Sequence, residues 1–288
     1  MRMKKKKERR SEDEKLEIVK GLRLIDDTLF EVFISDGDAC EELLQVILDN
    51  PGLRIDRSTL VPQKTFSIQQ GRSVRVDAYV EGEEDTVFNV EIQKSNDTNH
   101  VKRARYNAAC ITVKRSEPGD RFDDIQELYI VYITDFDLFK SGLSAYHVEP
   151  CIKETGEFVD NGLHQIYINA HGRDESRISR LMKHFNEPDF SDEEFPKISD
   201  KVHRLKHDKK EMFGMCKAVE DYANKRAKEY AEEYAKEYAE KQSIRIYIEA
   251  TMKYSGLPED KIIEEVVNRF KITKEEAKEY YDECSFWE

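Results

Sequence analysis

VFNVEIQKSN, residues 87–96, alternates apolar and polar side chains as a β-strand does, and it sets Asn89, Glu91 and Gln93 along one face. Val90 and Ile92 point the other way, toward a core. The run before it, SVRVDAYV (73–80), places Asp77 with Arg75 and Tyr79 on one face, opposite Val76 and Ala78. Pairing the two runs across the turn EGEED puts Asp77 opposite roughly residue 90, close to Glu91. Two neighbouring carboxylates repel, and each raises the other's pKa unless a cation lies between them. Hard oxygen donors suit Mg2+, with Mn2+ as the alternative.

The surrounding pattern gives this pair a setting. Leu22, Ile25, Leu29, Phe30 and Phe33, then Leu43, Leu44, Ile47 and Leu48, mark helical segments between Leu16 and Asp49, ended by Pro51-Gly52. Three strand-like runs follow (59–68, 73–80 and 86–93), with connections suited to an antiparallel meander. HVKRARYNAACITV (100–113) reads as a helix. ELYIVYIT (127–134) is apolar on both faces, as a strand inside a sheet is. Shorter strands are expected at 144–150 and 163–169, and a helix at 173–185. The reading is an α/β domain: helix, three-strand meander, helix, strand.

Charged residues make up 37% of the 288 residues and hydrophobic ones 39%, so part of the chain is expected as exposed helix. The formal charge of −13 argues against a protein coated in phosphate-binding surface, and confines nucleic-acid contact to a local patch or one aided by metal ions. Cys40, Cys110, Cys151, Cys216 and Cys284 form no CxxC pair, which fits thiols in a reducing cytoplasm. No apolar run reaches the roughly 20 residues of a membrane span. No apolar signal segment follows the basic start MRMKKKKERR, so secretion is not expected. The expected location is cytoplasmic. GxSxG, Walker-type and GxGxxG motifs are absent, which speaks against serine hydrolysis and a nucleotide cofactor. The seven histidines form no HExxH pattern and are expected at the surface.

The order of elements and the D…ExQK spacing resemble the PD-(D/E)xK nuclease superfamily. RVDAYVEGEEDTVFNVEIQKSNDTNHVKRARYNAACI is most similar to its nuclease family transposases, the recombination-promoting nucleases, and the resemblance extends over roughly 20–195. It implies a restriction-endonuclease-like core and a Mg2+-dependent enzyme cutting phosphodiester bonds in DNA, in recombination, transposition or defence. On the matching positions, Asp77 and Glu91 would ligate the metal, and Asp27, with Phe30 and Phe33 at three and six residues on, would complete the site. Relatives carry Lys after the first Phe of that helix; this chain has Glu31. Gln93 stands where the wider superfamily has Lys. Gln93 shares a face with Glu91, whereas the cationic Lys94 would reach the site only through a bulge. Lys102, Arg103, Arg105 and Tyr106 on the following helix are the candidate DNA contacts. Lys102 and Arg105 share one side of it, and Arg103 and Tyr106 another.

Four segments follow: a flexible basic arm (1–15), a nuclease-like domain (16–195), a long charged Ala/Tyr-rich helix (196–254) and a C-terminal helical hairpin (255–288). The arm is a solubilising tail or a reach toward a nucleic-acid backbone. Ala223, Ala227, Ala231, Ala235 and Ala239 recur every fourth residue beside Tyr222, Tyr230, Tyr234 and Tyr238. That seam is either solvated or packs on a second copy, giving a homo-oligomer. In the hairpin Thr273 and Glu276 have capping-box spacing. It could pass for a helix-turn-helix, but its acidic second helix is a poor groove reader. The alternative to an enzyme is a catalytically degenerate nuclease fold serving as a DNA- or protein-binding module, motivated by Gln93 and the negative charge.

Overall fold

The computed structural model describes residues 11–68, 72–83 and 85–285. The basic run 1–10 and Glu84 of the EGEED turn lie outside them. Ser11 and Glu14 form a reciprocal capping box that starts α1 (Glu12–Gly21), so the expected arm 1–15 ends inside a helix. Two more helices follow, α2 (Asp27–Ile34) and α3 (Gly37–Ile47). Between them Asp36 accepts the N–H groups of Asp38 and Ala39, which caps α3 and turns the chain. Leu29, Phe30 and Phe33 of α2 and Leu43, Leu44 and Ile47 of α3 are buried.

The three expected strand runs are five strands. These are β1 (Ile55–Pro62), β2 (Thr65–Phe66), β3 (Val74–Arg75), β4 (Ala78–Gly82) and β5 (Val87–Gln93). Gln63 takes a left-handed conformation (φ 51°) and Asp77 sits at a bend, so β2 and β3 leave the main ladder as their own two-stranded ribbon. The bend changes the expected phase: Val76 joins Tyr79 in one core while Ala78 faces the other. Then come α4 (His100–Arg115), β6 (Leu128–Thr134), β7 (Ala145–Val148), β8 (Leu163–Asn169) and α5 (Arg177–Phe185).

The main sheet has the order β1-β4-β5-β6-β8-β7. It is antiparallel from β1 through β4 to β5, parallel from β5 through β6 to β8, and closed by antiparallel β7. Helix α4 is the crossover between the parallel strands β5 and β6, as such a connection requires. One face of the sheet (Ala78, Val80, Val90, Ile92, Val131, Ile133, Ile168) packs with residues of α2, α3 and α5. The other face (Val87, Ile130, Tyr132, Tyr167) packs with Ala104, Ala108 and Ile111 of α4.

A helix α6 (Pro196–His207) precedes α7 (Lys209–Ser255), with the chain extended at Asp208. The sequence reading ended the domain at 195; the structure carries it further. Ile198, Val202, Leu205, Met215 and Cys216 are buried in the main core, and one compact unit runs to Glu220. The segment reads as solvated because its charges are numerous, but several are buried and paired. Lys201 meets Glu211 at 2.8 Å, and Arg204 meets Asp36 and Glu211 at 2.8 Å each. The Lys206 ammonium donates to the carbonyls of Val19 and Leu22 at 2.5 Å.

The second unit is Asp221–Glu288. Within it Ile244 and Ile248 of α7 pack with Ile262, Ile263 and Val266 of α8 (Glu259–Phe270) and with Ala277 and Cys284 of α9 (Lys274–Ser285). Lys271, left-handed at φ 59°, ends α8. Thr273 Oγ1 accepts the Glu276 N–H at 3.2 Å, and the Glu276 carboxylate accepts the Thr273 N–H at 2.8 Å. Tyr230, Tyr234 and Tyr238 of α7 are exposed.

Candidate active site

The β4–β5 ladder pairs Ala78 with Val90, so one further step brings Asp77 opposite Glu91. This is one residue from the sequence expectation. The turn accounts for it: Gly82 N–H bonds Thr86 C=O at 2.8 Å, and Asp85 is left-handed at φ 55°. The Asp77 carboxylate anchors itself on the neighbouring strand, where Oδ2 accepts the Ile92 N–H at 2.9 Å. That leaves Oδ1 as the donor a cation would take.

Glu91 is fully buried. Asn107 of α4 donates to its Oε1 at 3.2 Å, and the Asn89 amide, oriented to satisfy its neighbours, donates to the same oxygen at 3.2 Å. Arg103 reaches Glu91 Oε2 at 3.5 Å and donates to Gln93 Oε1 at 3.0 Å. Two asparagines thus fix one oxygen of Glu91 while the other faces the cationic side. Glu91, Gln93 and Arg103 meet because β5 alternates its side chains and α4 lies over that face.

The electrostatics disfavour two negative charges at this place. Burial, and then the Asp77 charge, push the Glu91 pKa well above its usual range, and Arg103 offsets only part of this. Burial also raises Asp77, to about 6; the Ile92 N–H opposes the rise, Asp27 adds to it, and Arg103 and Arg75 reduce it. Asp27, at the start of α2, is therefore within electrostatic reach of Asp77. Three carboxylates with hard oxygen donors fit a divalent ion of the Mg2+ type.

The two candidates after Ile92 separate by position. Gln93 shares Arg103 with Glu91, whereas the Lys94 ammonium forms an ion pair with Asp26. No bulge turns Lys94 inward; β5 stays in register with β6 from Val87 to Gln93. On α4, Arg103 is half-buried at the carboxylates. Lys102 and Arg105 are exposed, and the exposed Tyr106 donates its hydroxyl to the Arg72 carbonyl at 2.8 Å. Glu31 accepts from the Gln63 side chain at 2.5 Å, at the root of the ribbon.

Sequence reasoning passed over Asn107 and His100. Asn107 stands four residues after Arg103, the spacing that puts both on one side of a helix, so the signal was there. His100 was expected at the surface and is buried, with Nδ1 2.9 Å from the Tyr132 hydroxyl. Tyr132 is paired with Glu91 across the parallel ladder, so His100 lies behind the site rather than in solvent.

A second grouping with metal-ligand character involves Glu127, Asp160 and His164, whose donor atoms lie within 4.8 Å of one another. His164 and Glu127 are already 2.7 Å apart. Glu127 precedes β6, Asp160 precedes β8 and His164 lies near the start of β8, with His164 about 10 Å and Glu127 about 16 Å along the strands from the level of Glu91. Among the described residues no helix is long and apolar enough to cross a membrane.

A family model, PD-(D/E)XK nuclease family transposase, matches residues 35–255. The match includes Asp77, Glu91, Gln93 and all of α4, begins after Asp27, and runs past residue 195 to the end of α7. Comparison with curated proteins and comparison with solved structures gave no match.

Proposed function

The chain belongs to the PD-(D/E)XK nuclease family transposases, and from that premise we propose that it is a Mg2+- or Mn2+-dependent endonuclease that cuts DNA. Its core, on this reading, is restriction-endonuclease-like, and its role is cytoplasmic, in recombination, transposition or defence. The observation that carries the proposal is the meeting of Asp77 and Glu91, both with raised pKa values, beside Arg103. Asp77 and Glu91 would hold the ion, with Asp27 completing the set. A divalent ion held there would lower the pKa of a bound water and shield the phosphate from the carboxylates.

The chain's own residues supply the rest. Asn89 and Asn107 hold Glu91 Oε1 still, so the carboxylate is oriented before a ligand arrives. Gln93 cannot carry charge; with its oxygen held by Arg103, its amide N–H2 is left to orient water or a phosphate oxygen. Arg103 would bring the positive charge that the superfamily lysine brings, from α4 rather than from the strand. Lys94, paired to Asp26, is then a structural residue. Lys102, Arg105 and Tyr106 would meet the DNA backbone. The exposed Tyr230, Tyr234 and Tyr238 support self-association through the C-terminal helices; sedimentation that stays monomeric at all concentrations would remove that part.

Incubating supercoiled plasmid with the protein and Mg2+ tests the activity. Nicking that EDTA stops and that Asp77→Asn and Glu91→Gln each abolish is expected. Absence of nicking, or nicking unchanged in both variants, would overturn it. Gln93 also motivates the other reading, a degenerate nuclease fold used for binding. Metal bound through Asp77 and Glu91 without cleavage of any DNA form would favour it.

A further inference from the structure

The ribbon β2–β3 and helix α4 share a feature that the metal site does not explain. From Arg57 to Val76, and again from Thr98 to Ser116, the chain has no Asp or Glu, in a protein with 60 acidic residues and a formal charge of −13. The first stretch carries Lys64, Arg72 and Arg75 through the ribbon, and the second carries Lys102, Arg103, Arg105, Lys114 and Arg115. The fold brings the two together. Phe66 and Val74 of the ribbon join Ala104, Ala108 and Ile111 of α4 in one core, and Tyr106 bonds the Arg72 carbonyl at 2.8 Å. Lys64 lies over the Tyr79 ring at 3.3 Å and so serves packing. Arg72, Arg75, Lys102 and Arg105 are exposed.

The ribbon is also rooted at the site. Gln63 N–H bonds the Asp77 carbonyl and Val76 N–H bonds the Lys64 carbonyl, each at 2.9 Å, so the ribbon's return strand runs directly into Asp77. Arg75, two residues before Asp77, acts electrostatically on its carboxylate. A polyanion lying on the ribbon and α4 would therefore be led toward Asp77, Glu91 and Arg103.

We propose that the β2–β3 ribbon and the exposed side of α4 form one phosphate-gripping surface that holds a nucleic-acid backbone, through Arg72, Lys102 and Arg105 with Arg75 nearest the carboxylates. This rests on the nuclease reading of the site, but it makes a claim about binding that stands or falls separately. Contacts of this kind are independent of base sequence and release counterions, so they are read in the salt dependence of affinity.

The test uses the full chain carrying Glu91→Gln, which blocks cleavage, and a short fluorescein-labelled DNA duplex. Affinity is measured by anisotropy across a salt series. Arg72→Gln/Lys102→Gln/Arg105→Gln should weaken binding roughly tenfold or more and reduce the slope of log K against log salt by about 2–3. A control that removes the same charge elsewhere, Lys140→Gln/Lys153→Gln/Lys183→Gln, should leave the slope unchanged, with circular dichroism melts showing that both variants fold. Single-stranded DNA and duplex RNA of the same sequence serve as further probes; a slope reduced equally for all of them marks a general backbone grip, and one reduced only for duplex DNA marks a groove-shaped one. Equal affinity and slope in the ribbon variant and the control would overturn the proposal, even if wild type nicks plasmid. If wild type fails to nick while the ribbon variant still loses its slope, the gripping surface stands and the nuclease reading falls.

Discussion

Two groups of buried charge in the first unit are built in opposite ways. At α6, Asp36 meets Arg204 at 2.8 Å and Lys201 at 3.8 Å, and both cations reach Glu211 at 2.8 Å. Burial works against the Asp36 charge, but the Arg204 bond, the Ala39 N–H and Lys201 outweigh it and hold its pKa below the usual range. At the β4–β5 ladder, Asp77 faces Glu91 with Asp27 near, and Arg103 at 3.5 Å is the nearest cation bonded to Glu91. There both carboxylates are pushed up. The first cluster is complete as folded and serves stability. In the second, Arg103 and Arg75 do not offset burial and carboxylate repulsion, which is the condition a bound cation would relieve.

The largest expected effect follows from that contrast. Asp77→Asn or Glu91→Gln should lower Mg2+-dependent nicking by roughly a thousandfold, yet should stabilise the metal-free protein by about 1–2 kcal/mol, because a repelling buried charge is removed. Thermal melts with EDTA check the second half. Asp77 has an ordinary value of 3.8 and about 6 in the fold, so the native state holds the proton more tightly. In EDTA, stability should fall as pH rises through that window, and the Asn variant should lose the dependence. Added Mg2+ should reverse the slope.

Next is Arg103→Ala, which removes the charge-assisted contacts to Glu91 and Gln93. Nicking should drop roughly 10–100-fold, with recovery in Arg103→Lys. A steady-state pH profile should also shift upward, because Arg103 is the cation that offsets the rise in Glu91. Arg204→Ala tests the other cluster. It should cost about 1–2 kcal/mol, discounted for partial exposure of the guanidinium, while leaving the nicking rate per folded molecule unchanged. The Asp36 contribution is present above its ordinary value of 3.8 and is lost as pH falls below it, the opposite sign to Asp77. Smallest is Lys94→Ala: its ion pair with Asp26 is partly exposed, so about 0.5 kcal/mol of stability and less than a threefold change in nicking are expected. A large loss of activity there would mean that Lys94, not Gln93 with Arg103, supplies the chemistry.

Much of the site could be read from residue order because its determinants are local. Alternation along β5 fixes which side Glu91 and Gln93 share, and periodicity along α4 separates Arg103 from Arg105. The bend at Asp77 was not legible. It depends on Gln63, a residue 14 positions earlier, adopting a left-handed conformation and bonding the Asp77 carbonyl. Asn107 was legible in spacing but carries no charge to draw notice. The domain end was misread for a physical reason: Lys201 and Lys206 look like solvent residues until Glu211 and the carbonyls of Val19 and Leu22 are brought to them from distant parts of the chain.

The proposed site assigns the metal to the carboxylates of Asp77 and Glu91, not to those near His164. Calorimetric titration of Mn2+ into wild type, Asp77→Asn and His164→Ala measures this directly. Saturable binding is expected in wild type, with its loss in Asp77→Asn and its retention in His164→Ala. Binding that survives Asp77→Asn and disappears with His164→Ala would contradict it, and would move the metal to Glu127, Asp160 and His164.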